Sequence, residues 1–178
     1  MNRKIIVLSA ALIAISPCAS FAQATQAAST TIANDLPAGD REFVQAASMS
    51  SSTEIDASKL AKKQSQDKDV QSFANHMMVD HTKLTMQLKM AAPHGVTVPK
   101  DNSDTAVLNS LKGLRGKDFD AVYIKKVALE GHQKAVEAFQ KEAESGQNAD
   151  LKKAAQKALP TIQEHLKMAQ ELAAKKGL

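Results

Sequence analysis

The chain is predicted to be all-α, an antiparallel four-helix bundle with a short extra helix between the second and third long helices. Three observations predict it. The 178 residues are 43% hydrophobic and 24% charged, enough for one soluble domain, yet only 3% are aromatic and Trp is absent. An all-β chain relies on β-branched residues, aromatics and turn glycines, whereas this one is rich in Ala, Lys, Gln, Leu and Met. Four long stretches also repeat apolar residues at steps of three and four, with short breakers between them.

Residues 1–22 read as a signal peptide. Arg3 and Lys4 form a positive start, and Ile5 to Ile15 is an apolar run broken only by Ser9. Pro17 ends the run, and Ser20 and Ala22 take the small-residue positions that a signal peptidase requires. Cleavage is expected after Ala22, with Ala24 as the second choice. The apolar run is much shorter than the roughly 20 residues of a spanning helix. The expected address is therefore periplasmic or secreted, with no transmembrane segment in the mature chain.

The single cysteine, Cys18, lies inside this segment. Pro17 before it argues against lipidation, so the mature chain has no thiol for disulfides, nucleophilic attack or metal ligation. Loss of Arg3 and Lys4 leaves 21 basic against 19 acidic residues, a net charge of +2 compared with +4 for the whole chain. Those charges are interspersed and lack aromatics for base stacking, which excludes a nucleic-acid partner.

Residues 23–39, rich in Ala, Thr and Ser, read as a flexible linker to a helical domain over 40–176. The first helix is expected from about Asp40, as N-cap, to Gln64, and the second from about Asp67 to Ala92, stopped by Pro93-His94-Gly95. A loop containing Pro99 leads to the short helix, Ser103 to Leu114. The third long helix spans about Lys117 to Ser145, and the fourth runs from near Asn148 to Lys176. Pro160 falls inside the fourth, where a missing N–H and a steric clash predict a kink or a break.

The expected core stripes are Phe43, Ala47, Ser50, Glu54, Ala57 and Ala61 on the first helix, and Val70, Phe73, Met77, His81, Leu84 and Leu88 on the second. The third carries Val122, Leu129, His132, Val136, Phe139 and Ala143. The fourth carries Leu151, Ala155, Ala158, Ile162, His165, Ala169 and Leu172. Each stripe is interrupted once, near its middle, by an ionisable residue.

In an antiparallel bundle Glu54, His81, His132 and His165 would meet at one level. Three neutral imidazoles and a carboxylate suit a single divalent transition metal: Fe, Mn, Zn or Cu. Asp80 and Glu130 stand beside two of the histidines, where either could orient a ring or join the ligands. A hydrogen-bonded polar core without metal satisfies the same pattern, because a buried charge must be paired in either case. His76 falls on the polar side of its helix and His94 in a turn. Met77, Met78, Met86 and Met90 suggest a soft copper site, although Met at helical spacing ordinarily fills core. The chain shows no nucleophile elbow, phosphate-binding Gly loop or H-E-x-x-H pair, so hydrolytic and nucleotide-dependent chemistry has no support.

Four strings carry a family resemblance: Arg41-Glu42-Phe43-Val44-Gln45-Ala46-Ala47, Phe73 to Lys83 with Met78-Val79-Asp80-His81-Thr82-Lys83 at its end, Phe119-Asp120-Ala121-Val122-Tyr123, and Leu159-Pro160 through His165-Leu166. Over about Asp40 to Leu172 the chain resembles the exported bacterial domain-of-unknown-function 4142 family. That resemblance implies a ferritin-like bundle in the cell envelope and no defined reaction. Many ferritin-like proteins hold two irons through paired Glu-x-x-His elements. Here Met78 stands three residues before His81 and Ile162 three before His165, which points to a mononuclear or vestigial site.

The leading expectation is a protein that binds one metal ion for metal handling or envelope stress defence. The alternative is a structural or interaction module with a polar core. An oxidant-bearing metalloenzyme ranks third, because the carboxylates that stabilise such centres are missing. The sequence leaves room for a homo-oligomer.

Overall fold

The structure, a computed structural model, describes residues 36–178. The expected signal peptide and most of the expected linker lie outside the described residues. Those that are described form helices and loops with no strand: α1 (Ala38–Gln64), α2 (Lys68–Ala91), α3 (Thr105–Leu111), α4 (Gly116–Val122), a π-helical segment (Tyr123–Leu129), α5 (Glu130–Ser145) and α6 (Ala149–Lys176). Because α4, the π segment and α5 run on without a break, there are four long rods and one short one.

Local chemistry explains most of the boundaries. Asp67, Asp104 and Asn148 each accept two backbone N–H groups at the start of α2, α3 and α6, meeting the orphan donors of those first turns. At the far end of α6, Gly177 takes a left-handed conformation (φ 72°), and Leu178 N donates to the Ala173 carbonyl. Asp40 corrects the expectation. Helix α1 begins two residues earlier, after Pro37, and Asp40 caps nothing of its own. Its buried carboxylate accepts Gln147 N (3.0 Å) and Asn148 N (2.7 Å), fastening the start of α1 to the α5–α6 turn.

Pro160 does not break α6. Its ring is exposed, as is Gln156, whose carbonyl loses its helical donor, so water can replace that bond.

The long rods pack α1 against α2 and α5, and α6 against α5 and α2. Lys176 at the end of α6 reaches Asp67 (2.6 Å) and Asp69 (2.8 Å) at the start of α2, so those two rods run in opposite directions. The α2–α3 excursion is pinned to the Ser/Thr-rich middle of α1. Asn102 bonds Ser48 and Ser52, and Asp104 N bonds Thr53 Oγ1.

The core has two apolar halves. One gathers Phe73, Met77, Phe119, Tyr123, Ala128 and Ala169, and the other Phe43, Val44, Leu84, Phe139, Leu151 and Ile162. The stripes expected on α2 and α6 are buried throughout. On α1 the interior takes Ser51 in place of Ser50. The third stripe is shifted: Tyr123, Val127, Ala128 and Ala135 are buried, while Val122, Leu129, Val136 and Ala143 are only half-buried. Its π segment has more residues per turn than an α-helix and so rotates the face on either side.

Candidate metal centre

Between the two apolar halves lies a polar layer. His81 stands between Met77 and Leu84, His132 between Ala128 and Ala135, and His165 between Ile162 and Ala169. All three are 1% exposed, and Glu54 on α1 is 3% exposed. The imidazole centroids form a nearly equilateral triangle with sides of 5.5, 5.4 and 5.4 Å. Each ring offers one nitrogen to a set whose members all lie within 4.8 Å of one another.

The outward nitrogens each have a partner. His132 Nδ1–H donates to the Ala128 carbonyl at 2.8 Å, which leaves Nε2 as a bare acceptor. His165 Nε2 lies 3.0 Å from Asp80 Oδ2, and His81 Nδ1 lies 3.3 Å from Ser51 Oγ. His81 Nε2 and His132 Nε2 face one another at 3.3 Å, and His165 Nδ1 is buried with no hydrogen-bond partner. Ligand histidines commonly have their second nitrogen held in this way by a carboxylate, carbonyl or hydroxyl, which sets tautomer and orientation.

Burial pushes all three imidazoles below their ordinary pKa, His132 to about 4. Mutual repulsion adds to the effect for His81 and His132, while Asp80 opposes it for His165. At neutral pH the rings are uncharged, which is the form that ligates metal.

Glu54 stands elsewhere than its spacing suggested. Its Oε1 lies 3.4 Å from His132 Nδ1, the nitrogen already facing Ala128, so the carboxyl group is behind that ring and outside the set of converging nitrogens. Its Oε2 has no partner, and burial raises its pKa well above the usual carboxylate range. On its other side a cavity of about 120 Å³ between α1 and α5, lined chiefly by small and apolar residues, carries Lys126 and Lys134.

Asp80 lies within hydrogen-bond distance of the His165 ring, whereas Glu130 enters no hydrogen bond or ion pair among the described residues. The methionines do not form a soft-metal cluster: Met77 is core, and Met86 and Met90 are exposed. His94 is also exposed. Sequence reasoning missed Ser51, for which the only signal was a run of hydroxyl residues, Ser50 to Thr53, on a helix that should be apolar inside.

A family model described as "Domain of unknown function (DUF4142)" matches residues 22–172. The chain belongs to the DUF4142 family. No protein of curated function matches this DUF4142 chain. A crystal structure of a Streptomyces coelicolor protein, described as secreted and as DUF305, matches with a TM-score of 0.63 at 17% identity. It covers 78% of the DUF4142 chain and 92% of its own. At that identity the likeness shows the fold alone. No helix among the described residues is long and apolar enough to cross a membrane.

Proposed function

We propose that this protein is an exported, ferritin-like antiparallel four-helix bundle that holds one divalent transition-metal ion between His81, His132 and His165. Its role would be metal handling or envelope stress defence. The observation that carries the reading is His165 Nδ1. A buried polar atom without a partner is costly, and this one belongs to a ring whose other nitrogen is anchored and which shares a layer with two more imidazoles. A cation would supply the partner it lacks.

The donor set fits such a group. Neutral imidazoles suit Zn, Cu or Fe, and the absence of a converging carboxylate disfavours a di-iron arrangement. Three protein ligands leave a fourth position open, where a bound ion could act as a Lewis acid or pass to another carrier. Asp80 and Glu54 would stand as outer partners that offset the ion's charge, Glu54 by losing its proton as the ion arrives.

One feature favours the second reading, a purely structural core. Ser51 O–H can donate to His81 Nδ1, His81 Nε2–H to His132 Nε2, and His132 Nδ1–H to Ala128. That chain closes without metal but leaves His165 Nδ1 unmet.

Thermal unfolding of protein stripped by chelator separates the two. Added Zn²⁺ should raise the melting temperature by mass action. The His81→Ala, His132→Ala and His165→Ala variants should lose that rise, while His76→Ala should keep most of it. A melting temperature that Zn²⁺, Cu²⁺, Mn²⁺ and Fe²⁺ all leave unmoved would assign the layer to structure alone.

A further inference from the structure

His165 belongs to two clusters, one with His81 and His132 and one with His76 and Asp80. Its Nε2 faces Asp80 Oδ2 at 3.0 Å, and its Nδ1 is buried with no hydrogen-bond partner. The same Asp80 oxygen lies 3.2 Å from His76 Nε2, and His76 and Asp80 are one helical turn apart on α2. The His76 and His165 rings meet edge to face at 5.8 Å. One donor atom from each of His76, Asp80 and His165 falls within 4.8 Å of the others. The side chains grade from solvent to core: His76 is 51% exposed, Asp80 28% and His165 1%.

We propose that His76, Asp80 and His165 form a second, solvent-facing site for a divalent transition-metal ion, and that ions reach the inner site through it. Ligand atoms about 2.0 to 2.2 Å from a tetrahedral ion sit a little over 3 Å apart, so the spacings around Asp80 need little adjustment. Two imidazoles and one carboxylate form a common ligand set for Zn²⁺. An i,i+4 His–Asp ion pair on an exposed helix face would explain His76 and Asp80 alone, but not why their shared oxygen also meets a buried ring from another helix.

A neutral imidazole has one lone pair. With its proton on Nδ1, His165 offers Nε2 outward. With the proton on Nε2, donated to Asp80, it offers Nδ1 inward. The ring therefore serves one position at a time, and passage of the ion from outside to inside requires its proton to move from Nδ1 to Nε2. The outer site stands on its own geometry; its role in loading rests on the reading of the inner histidines as ligands.

The test uses the full chain, stripped by chelator, with Zn²⁺ alone as the probe. His132→Ala removes an inner ligand only and should leave a weaker Zn²⁺ equivalent by calorimetry, and adding His76→Ala should weaken that equivalent at least about tenfold. In the parent background His76→Ala, a half-exposed position, should leave the tight equivalent in place but slow Zn²⁺ uptake in stopped-flow at least about tenfold. If weak binding in His132→Ala ignores the second substitution, or if the His76→Ala protein loads as fast as the parent, the proposal falls. The parent-background experiment decides the matter should His132→Ala fail to show native helical circular dichroism. If the parent itself binds only a weak equivalent, lost in His76→Ala and untouched in His132→Ala, the outer site stands while the inner reading and the loading role fail. No Zn²⁺ binding by the parent ends both.

Discussion

Oε1 of Glu54 lies 3.3 Å from the point at which a Cβ on Gly131 would stand. The second residue of α5 is thus a glycine beside a buried carboxyl group, in a helix where every residue but proline would serve better. Gly costs roughly 1 kcal/mol relative to Ala inside a helix, so the room it leaves is what offsets that cost. Gly131→Ala should therefore stabilise the parent by less than this amount, or destabilise it, because Glu54 must give way. In a Glu54→Ala background the same substitution should recover close to the full gain. A double-mutant cycle by urea denaturation measures the difference, and equal effects in both backgrounds would show that Glu54 does not depend on the glycine.

The buried histidines set a pH window for the metal-free protein. His132 is held to about 4 by burial and by repulsion from His165, against 6.5 for a free imidazole; His81 and His165 are shifted the same way, burial being the main cause in each. As pH falls through 6.5 the unfolded chain takes up protons that the folded one refuses. Stability is then lost progressively down to about pH 4. Urea unfolding with chelator present should show this slope, and His132→Gln should flatten part of it. A His132→Gln protein whose stability changes between pH 7 and pH 5 as much as the parent's would contradict a neutral buried His132.

Glu142, on α5 beside the α5–α6 turn, predicts a trend of opposite sign. Burial, reinforced by the Asp40 carboxylate, raises its pKa to about 7, and its Oε1 has no partner. The folded state prefers the protonated acid, so between about pH 4.5 and 7 the unfolded chain ionises first and stability declines as pH rises. Glu142→Gln should consequently raise the melting temperature at pH 8 and change it little at pH 4. An equal shift at both values would locate its effect in packing instead of charge.

The core faces of α2 and α6 were legible because both helices keep an even period along their whole length. Every residue from Val70 to Leu88 and from Leu151 to Leu172 that the period marked is buried. The same regularity singled out His81 and His165, and His132 stood out as the ionisable residue on the third stripe although that stripe is shifted. Membership of the DUF4142 family was equally readable, because local strings carry it.

Other features depend on what the helices meet. The π segment over Tyr123–Leu129 rotates the third stripe, and no residue type within it announces the extra width of its turns. Asp40 looked like a cap for its own helix, but the α5–α6 turn presents two free N–H groups to it from 107 and 108 residues away. Glu54 and Ser51 are separated by less than one helical turn, yet each stands behind a different imidazole, at His132 and His81. Which partner each ring nitrogen meets was likewise decided by tertiary structure. Sequence period specifies which face of a helix is buried, whereas the direction of a hydrogen bond is specified only by the donor or acceptor that another helix brings to it.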